Sequence, residues 1–557
     1  MTSQTLAELA ERYFQVTMDA SPFDATVYGV AGWDAEVPDL SEAAEAATDR
    51  RLADLQRRLA GIDPAGLGPQ DRITLAMLER GLVDRRAELA ARWPELTVTA
   101  TGGGIQTAVL GLVPKVALTT PERAADYTER CRRLAGCLDQ AGERLRAGLA
   151  SGRTPPALGV RAAIRQLDGY LAGPVADDPL LTPPPPAGMD PSRFRERLAE
   201  VVAGSVRPAM ARYRDLLATQ VLERARPDDR CGLVHVPGGE ATYRDAVARH
   251  TTTDRDPAEL HRLGLELVAA LADEYSALGA RVLGTADMGE ILRRLREDPE
   301  LRFTSAAEIL RSGRDALERA TAALPRIVGR TPRAPCRVDE MSAYEAEDAV
   351  LGYYQPAAAD GSHGGVHWLN TSAPGTRTRY EYEALAFHES VPGHHLQFAL
   401  AQELEELPRF RRFGYVTAFS EGWALYTERL ADELSLYSGD LERFGMLSFA
   451  SWRACRLVVD TGLHALGWSR DQAIDYLLAN SALTRTNIEN EVDRYVAWPG
   501  QALAYMVGHM ELARLRERAA QRLGGRFDLR GFHDLVLGTG GVPLSVLSEM
   551  VEEHLIG

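Results

Sequence analysis

One segment of the chain, which reads His-Glu-Ser-Val-Pro-Gly-His-His from His388 onward, has side chains of the kinds that can bind zinc. In a zinc-hydrolase helix with the pattern His-Glu-x-x-His, two histidines one turn apart bind the metal, and the glutamate acts on the metal-bound water. His388 and Glu389 match the first half of this pattern. The residue four positions after His388 is Pro392, which has no metal-binding side chain. The candidates for the second ligand are therefore His394 and His395.

This spacing requires an interruption of the helix. On a straight helix, six or seven residues extend about 9–10 Å along the axis, whereas zinc holds its nitrogen ligands at roughly 2.0–2.1 Å. Pro392 has no N–H, and its ring clashes with the carbonyl of His388, while Gly393 permits backbone angles closed to other residues. A bulge or kink there would absorb the two extra residues. Removing the two residues before Gly393 restores the regular spacing, so His394 is the favoured second ligand and His395 the alternative.

A third ligand is expected on a following helix, within the segment Phe-Ser-Glu-Gly-Trp-Ala-Leu-Tyr-Thr-Glu. Glu421 lies 33 residues after His388, which is enough for the first helix to end, turn and return. Glu428 lies two turns further along the same face. One of these carboxylates could bind the metal and the other could orient a ligating histidine.

The chemistry expected of such a site is hydrolysis. Zinc with three protein ligands keeps one position for water and lowers the pKa of that water toward ~7. Glu389 would take the proton of the water and later pass it to the leaving amine. The developing oxyanion needs a second electrophile, for which the candidates are Tyr495, Tyr505, His395 and His509.

Arg494 could bind a carboxylate of the substrate through two parallel hydrogen bonds. An ion pair with its neighbours Glu491 or Asp493 is the more ordinary interpretation of the same residue.

These motifs resemble a bacterial family catalogued as domain of unknown function 885. Its mark is His-Glu-x-x-Pro-Gly-His-His with a later Glu-Gly-Trp-Ala-x-Tyr, and both occur in this chain. The resemblance covers most of the sequence, because it also includes Pro22–Gly29 near the start and Asp493–Tyr495 and Pro499–Leu503 near the end.

The family is similar to helical zinc peptidases of the thimet-oligopeptidase and carboxypeptidase Taq groups. The resemblance implies His388, His394 and Glu421 as metal ligands and Glu389 as the base. The two-residue insertion before Gly393 is where this chain departs from the peptidases.

Three short segments before the metal-binding motif predict strands of a small antiparallel sheet: Cys336–Met341, Ala349–Gln355 and Gly365–Asn370, with a turn at Asp360-Gly361. Peptidases of the kind that the chain resembles hold the substrate backbone on an edge strand at this place, by β-augmentation. We expect the last strand, with Asn370 as a substrate-binding residue, to border the cleft. A purely structural sheet is the equal alternative.

Helical periodicity predominates elsewhere. The expected fold is mainly α, a large zincin-like fold with a deep cleft. We expect an N-terminal helical lobe over residues 1–180, a helical middle region over 181–330 and a zincin-like catalytic region over 331–557. The metal-binding helix is predicted from about residue 379 to 406 and the helix with Glu421 from about 417 to 434.

Composition excludes several classes of protein. A net charge of −16 without a basic stripe argues against nucleic-acid binding. No apolar run approaches the ~20 residues needed to span a bilayer, and the first residues lack the pattern of a signal peptide. Five cysteines without metal-type pairing fit reduced thiols. The expected location is therefore the cytoplasm, without a membrane partner.

The sequence favours a metallopeptidase with one zinc per chain that acts on short peptides. The same site could instead hydrolyse the amide of a non-peptide small molecule in specialised metabolism. A third possibility is a non-catalytic helical binding protein with a structural metal, but Glu389 argues against it, because a structural zinc site has no use for a base and is normally closed by four ligands. The oligomeric state is not predicted.

Overall fold

The structure is a computed structural model that describes residues 3–101, 103–341, 351–357 and 363–556. The chain divides into two compact units. The first comprises Met1–Asp245, Leu463–Asp471 and Asp493–Pro499, and the second comprises Ala246–Gly462, Gln472–Val492 and Gly500–Gly557. The three expected ranges, with boundaries at 180 and 330, differ from this division.

The helices that begin before residue 245 are α1 (Ser3–Ala20), α2 (Pro22–Val27), α3 (Glu42–Leu59), α4 (Pro69–Ala90), α5 (Ile105–Gly111), α6 (Pro121–Ser151), α7 (Ala157–Ala172), α8 (Pro191–Val201), α9 (Arg207–Leu216) and α10 (Gly239–Thr251). Helices α6 to α9 share one apolar core. Leu180 and Leu181 are buried in that core, so a domain boundary at residue 180 would cut through packed side chains.

The later helices are α11 (Pro257–Val282), α12 (Met288–Glu297), α13 (Ala306–Ile327), α14 (Glu381–Glu389), α15 (His394–Gln402), α16 (Arg409–Phe413), α17 (Thr417–Glu433), α18 (Arg443–His464), α19 (Arg470–Asn480), α20 (Arg485–Ala497), α21 (Ala504–Leu523), α22 (Leu529–Leu537) and α23 (Leu544–Val551). Many helices begin after a side chain that accepts a hydrogen bond from the first turn, as Thr120, Asp256 and Ser305 do for α6, α11 and α13. The fold is mainly helical, as predicted.

A small sheet precedes the metal-binding motif, as the sequence predicts. Its strands are β1 (Cys336–Glu340), β2 (Gly352–Gln355) and β3 (Gly365–Leu369), in the order β1-β3-β2. Strand β3 pairs antiparallel with β2 but parallel with β1, so the sheet is mixed and not antiparallel throughout. The predicted turn at Asp360-Gly361 and the first two residues of the predicted second strand lie outside the described residues.

Strand β3 is the central strand, and this corrects its expected role. Its backbone is paired on one side with β1 and on the other with β2. A strand with both neighbours in place has no free edge for a substrate backbone, so β3 cannot hold a peptide by β-augmentation.

The sheet packs on α13 and α14 in a single apolar cluster. Leu369 of β3, Val338 of β1, Ile309 of α13 and Leu385 of α14 are all buried in it. Helix α13 therefore belongs with the sheet that follows it, which explains why residue 330 is not a boundary. The cluster also fixes α14, the helix that carries His388.

Helices α17 and α21 cross closely because two glycines meet at the crossing. A Cβ on Gly422 would overlap the backbone of Gly508, and one on Gly508 would overlap the carbonyl oxygen of Ala418. In the part of the chain that the structure describes, no helix is both long enough and apolar enough to span a bilayer.

The glycine crossing predicts opposite effects of one substitution at two helical sites. Gly508→Ala is expected to cost about 1–3 kcal/mol because α17 and α21 must separate. Gly136→Ala, in an open position on α6, is expected to stabilise the protein by about 0.5–1 kcal/mol through helix propensity. Denaturant unfolding of both variants measures the difference. Equal effects would show that the crossing does not depend on the missing side chain.

Candidate metal centre

The metal-binding motif forms two helices, not one kinked helix from residue 379 to 406. Helix α14 ends at Glu389, the chain turns through Ser390–Gly393, and α15 begins at His394. The Val391–Pro392 peptide bond is cis. The backbone of Gly393 lies against the last turn of α14, where a Cβ would overlap the carbonyl oxygen of His388. The predicted interruption is thus present, but it is a complete break.

Helix α17 holds this break in place. The indole Nε1 of Trp423 donates a hydrogen bond to the carbonyl of Pro392 at 2.9 Å. Thr427, one turn further along, donates from its hydroxyl to the carbonyl of Phe387 at 3.1 Å. Both side chains are buried. The Glu-Gly-Trp motif therefore supplies a glycine for the helix crossing and an indole for the break.

The three predicted ligands come together. His388 at the end of α14, His394 at the start of α15 and Glu421 on α17 form a buried group whose ligand atoms all lie within 4.8 Å of one another. The Oε2 atom of Glu421 lies 3.7 Å from Nε2 of His388 and 3.5 Å from Nε2 of His394. Ligands at roughly 2.1 Å in a tetrahedral arrangement are separated by roughly 3.4 Å. The two distances from Glu421 are close to this separation, so the three residues could hold one metal ion.

Glu428 orients the first ligand. Its Oε1 atom lies 2.8 Å from Nδ1 of His388, which leaves Nε2 facing Glu421. A carboxylate on the far nitrogen fixes the tautomer of a ligating histidine and makes it more basic. Of the two glutamates that the sequence left open, Glu421 joins the cluster and Glu428 supports it.

Tyr415 orients the third ligand, and the sequence reasoning missed it. Its hydroxyl donates a hydrogen bond to Oε1 of Glu421 at 2.8 Å, so Oε2 is left for the two histidines. Tyr415 precedes α17 and stacks on Phe398, which in turn stacks on Tyr354. No local pattern marks this tyrosine, because its partner is defined only by the packing of the loop.

His394 and His395 have different surroundings. The ring of His394 packs against the rings of His388 and Phe398, at centroid distances of 4.9 and 5.7 Å. His395 is 2 % exposed, and its Nδ1 accepts from the hydroxyl of Tyr354 at 3.0 Å while its Nε2 lies 3.1 Å from the carbonyl of Ala334.

Burial lowers the pKa of His395 to about 4, which keeps the ring neutral. Since both of its nitrogens are engaged, His395 is a packing residue and not a ligand. Its predicted contact with substrate stays a prediction.

The titration of the cluster reflects its mutual contacts. Burial lowers the pKa of His388, but hydrogen bonds to Glu421 and Glu428 and the charge of Glu389 raise it overall to about 9. Burial raises the pKa of Glu421, but its contacts with His388 and His394 bring it well below the ordinary value. Without a metal, the cluster therefore holds protons on histidine that a metal ion would displace.

Glu389 has the surroundings of a base. Its side chain is partly exposed, and it makes no hydrogen bond with any residue in the described ranges. Burial of the carboxyl raises its pKa, while the charges of His388 and His394 lower it, and the net effect is upward. A carboxylate that is free and of raised pKa can take a proton from a neighbouring water.

The remaining predicted residues have other surroundings. Asn370 is fully buried, and its Oδ1 accepts hydrogen bonds from the backbone N–H and the hydroxyl of Ser372. It shapes the turn after β3, and the substrate contact expected of it stays a prediction. Tyr505, in the same unit as the cluster, has its ring 4.3 Å from the guanidinium carbon of Arg456.

Arg494 and Tyr495 belong to the first unit, and the guanidinium carbon of Arg494 lies 5.2 Å from the ring centre of Tyr495. Tyr495 is buried. Glu491 is paired with Arg456 and Asp493 with Arg470. The catalytic role of Tyr495 and the substrate-binding role of Arg494 stay predictions.

The fold and this cluster define a mainly helical protein with a candidate site for one metal ion. The chain belongs to the family described as "Bacterial protein of unknown function (DUF885)", which it matches over residues 22–551. This confirms the family that the motifs resemble. No curated protein matches the chain.

Two solved structures are similar over nearly the whole chain. One is a "putative lipoprotein" from Colwellia psychrerythraea, with 28% identity, a TM-score of 0.91 and 99% of each chain covered. The other is a "putative lipoprotein of unknown function" from Shewanella oneidensis, with 18% identity, a TM-score of 0.77, and 98% of this chain and 99% of that one covered. The second likeness concerns the fold alone.

The different surroundings of the adjacent histidines predict different effects of their removal. His394→Ala is expected to abolish stoichiometric zinc binding because it removes a ligand, whereas His395→Ala is expected to keep about one zinc per chain. Elemental analysis of the purified variants after zinc loading measures this. Zinc retained in the first variant and lost in the second would assign the ligands the other way round.

The contact of Tyr415 with Glu421 predicts a change in zinc affinity. Tyr415→Phe is expected to weaken zinc binding by about 10- to 100-fold, because the ligand loses the hydrogen bond that orients it. Tyr354→Phe, at the other end of the same aromatic stack, is the matched control and is expected to leave the affinity unchanged. Competition with a chelator of known affinity gives both values, and equal affinities would remove Tyr415 from the site.

Proposed function

We propose that the protein is a zinc-dependent hydrolase of amide bonds, acting on short peptides. The observation that carries this proposal is the arrangement of three converging ligand atoms beside an unengaged carboxylate. A structural zinc site is normally closed by four protein ligands, whereas a catalytic one has three. In the described part of the chain the cluster offers three, and Glu389 adjoins them.

Zinc bound there would act as a Lewis acid and bring the pKa of a coordinated water toward ~7. Glu389 would hold the proton taken from the attacking water and deliver it to the nitrogen of the leaving amine. His388 is kept in one tautomer by Glu428, and Glu421 is kept in one orientation by Tyr415. The chain thus supplies a base and two ligands that need not rearrange when a substrate arrives.

Tyr505 is the candidate for the group that stabilises the oxyanion. It lies in the same unit as the cluster. Burial raises the pKa of Tyr415, and the charge of Glu421 and the phenol of Tyr505 raise it further, so Tyr505 is within electrostatic range of the residue that touches the third ligand. A phenol at the edge of the site can donate to a developing negative charge.

Peptides are the proposed substrates because the motif is similar to that of the helical zinc peptidases.

The cellular location of the protein is a separate question. The description of the Colwellia psychrerythraea protein as a lipoprotein favours a location outside the cytoplasm for this chain too, against the location expected from its sequence. Fractionation of cells that express the native gene, with immunodetection, distinguishes the two.

The role of Glu389 gives the direct test of catalysis. Glu389→Gln is expected to retain about one zinc per chain and to lose about 10²- to 10⁴-fold in turnover, because the base is removed while the ligands stay. Release of amino acids from a mixed library of dipeptides and tripeptides measures this. The exposed Glu405→Gln serves as the matched control and should keep full activity. Undiminished turnover in Glu389→Gln would contradict the proposed base.

A further inference from the structure

Arg453 is a buried charge that the proposed chemistry does not use. It lies on α18 and is 5 % exposed. Two of its guanidinium nitrogens, Nε and Nη1, are buried and have no hydrogen-bond partner among residues 3–101, 103–341, 351–357 and 363–556. Buried cations are ordinarily paired with a carboxylate, since an unpaired charge in the interior is unfavourable.

Aromatic rings surround this guanidinium without neutralising it. Its central carbon lies 4.5 Å from the ring centre of Phe449 and 4.2 Å from that of Trp452. Such faces attract a cation through the ring quadrupole, but they offer no hydrogen-bond acceptor to its N–H groups. Burial and the neighbouring charge of Arg456 both lower the pKa of Arg453.

Arg456, one turn further along α18, shows what the ordinary arrangement looks like. It also stacks on Trp452, at 4.4 Å, and on Tyr505, at 4.3 Å. Unlike Arg453, it forms an ion pair with Glu491 at 3.0 Å. Two arginines on one helix face therefore share their aromatic neighbours, but in the described part of the chain only one has a carboxylate partner.

Arg453 belongs to the second unit, as do His388, His394 and Glu421. Its guanidinium carbon is 5.8 Å from the ring centre of Tyr505. The negative charges of Glu428 and Glu421 raise the pKa of Arg453 against the effect of burial. A cation without a carboxylate partner in the described chain is thus placed within electrostatic range of one metal ligand and of the carboxylate that orients another.

We propose that Arg453 binds a carboxylate of the substrate, so that the protein hydrolyses the amide bond next to a free carboxyl end, as in a dipeptide or at the last residue of a short peptide. The inference rests on the proposed function and specifies its substrate class. A substrate carboxylate would supply the anion that the described chain does not, through charge-assisted hydrogen bonds to the guanidinium. Arg453 takes the place that the sequence suggested for Arg494.

The test compares peptides that differ only at the carboxyl end. The probes are the best-cleaved peptide of the dipeptide and tripeptide library and the same peptide as its C-terminal amide. The zinc-loaded wild-type protein is expected to favour the free acid by about 10- to 100-fold in kcat/KM, the contribution of a hydrogen-bonded charge. In Arg453→Gln this preference is expected to disappear because the acid loses activity, while cleavage of the amide is unchanged.

A matched control and a stability measurement separate binding from structure. Arg443→Gln lies on the same helix, but Arg443 is ion-paired with Asp432, and its replacement should leave the acid-to-amide ratio as it is. The Tm of Arg453→Gln is expected to equal or exceed that of the wild type, since removing an unpaired buried charge relieves a cost. A large fall in Tm with an unchanged ratio would overturn the proposal and make Arg453 a structural residue.

Binding without turnover keeps this inference separate from the proposed function. The zinc-loaded Glu389→Gln variant is titrated by calorimetry with Ala-Ala-Ala and with its C-terminal amide, with and without Arg453→Gln. Tighter binding of the acid that depends on Arg453 supports the anion site even if no peptide is hydrolysed, an outcome that would remove only the peptidase function. Hydrolysis of acid and amide at equal rates, with equal binding, would contradict the anion site and leave the hydrolase intact.

Discussion

Two imidazoles six residues apart can meet at one ion only if the helix that carries them is interrupted. In this protein the interruption is complete, since α14 ends at Glu389 and α15 begins at His394. The turn between them brings the backbone of Gly393 onto the last turn of α14, where no side chain fits. Any change that restored a continuous helix would carry the second histidine away from the first.

The neighbouring elements can be understood as supports for that break. Helix α17 contributes the third ligand, and on the same helix Trp423 holds the carbonyl of Pro392 within the turn while Thr427 holds that of Phe387 in α14. Gly422 and Gly508 allow the close crossing of α17 with α21. The sheet and α13 pack with α14 in one apolar cluster. The position of the ligands therefore depends on helices and strands outside the motif itself.

The buried polar and charged groups of this region are not all paired within the described chain, and an unpaired cation is a place where a substrate anion could bind. Among the ligands, His388 has Glu428 on its outer nitrogen, whereas Nδ1 of His394 is buried without a hydrogen-bond partner among the described residues. For Arg453 the described chain likewise provides aromatic faces but no acceptor for Nε or Nη1. A hydrolase needs its ligands fixed before the substrate arrives and its substrate-binding charge unfilled until then.

Sequence alone predicted the parts of the site that local chemistry determines. Pro392 and Gly393 predicted an interruption, the spacing favoured His394 over His395, and the helix with Glu421 was placed within a residue of its ends. The helix was nonetheless expected to kink and not to stop, because local propensity does not show that Trp423 takes the free carbonyl of Pro392.

The remaining features of the fold and of the site depend on tertiary contacts, which the sequence does not show. The order of the three strands depends on pairing across a gap in sequence, so the central position of β3 and the burial of Asn370 could not be read from alternation. Tyr415 lies in a loop and Arg453 on a helix, and neither is marked by a local sequence pattern. Only the packing of the chain shows that Tyr415 has a carboxylate partner and that Nε and Nη1 of Arg453 have none among the described residues.

Anomalous diffraction at the zinc absorption edge, from crystals of the wild-type protein grown with zinc, tests the central claim most directly. The account predicts one strong peak at roughly 2.0–2.2 Å from Nε2 of His388, Nε2 of His394 and a carboxylate oxygen of Glu421. No peak among these three residues at full zinc loading, or a peak that includes His395 in place of His394, would contradict it.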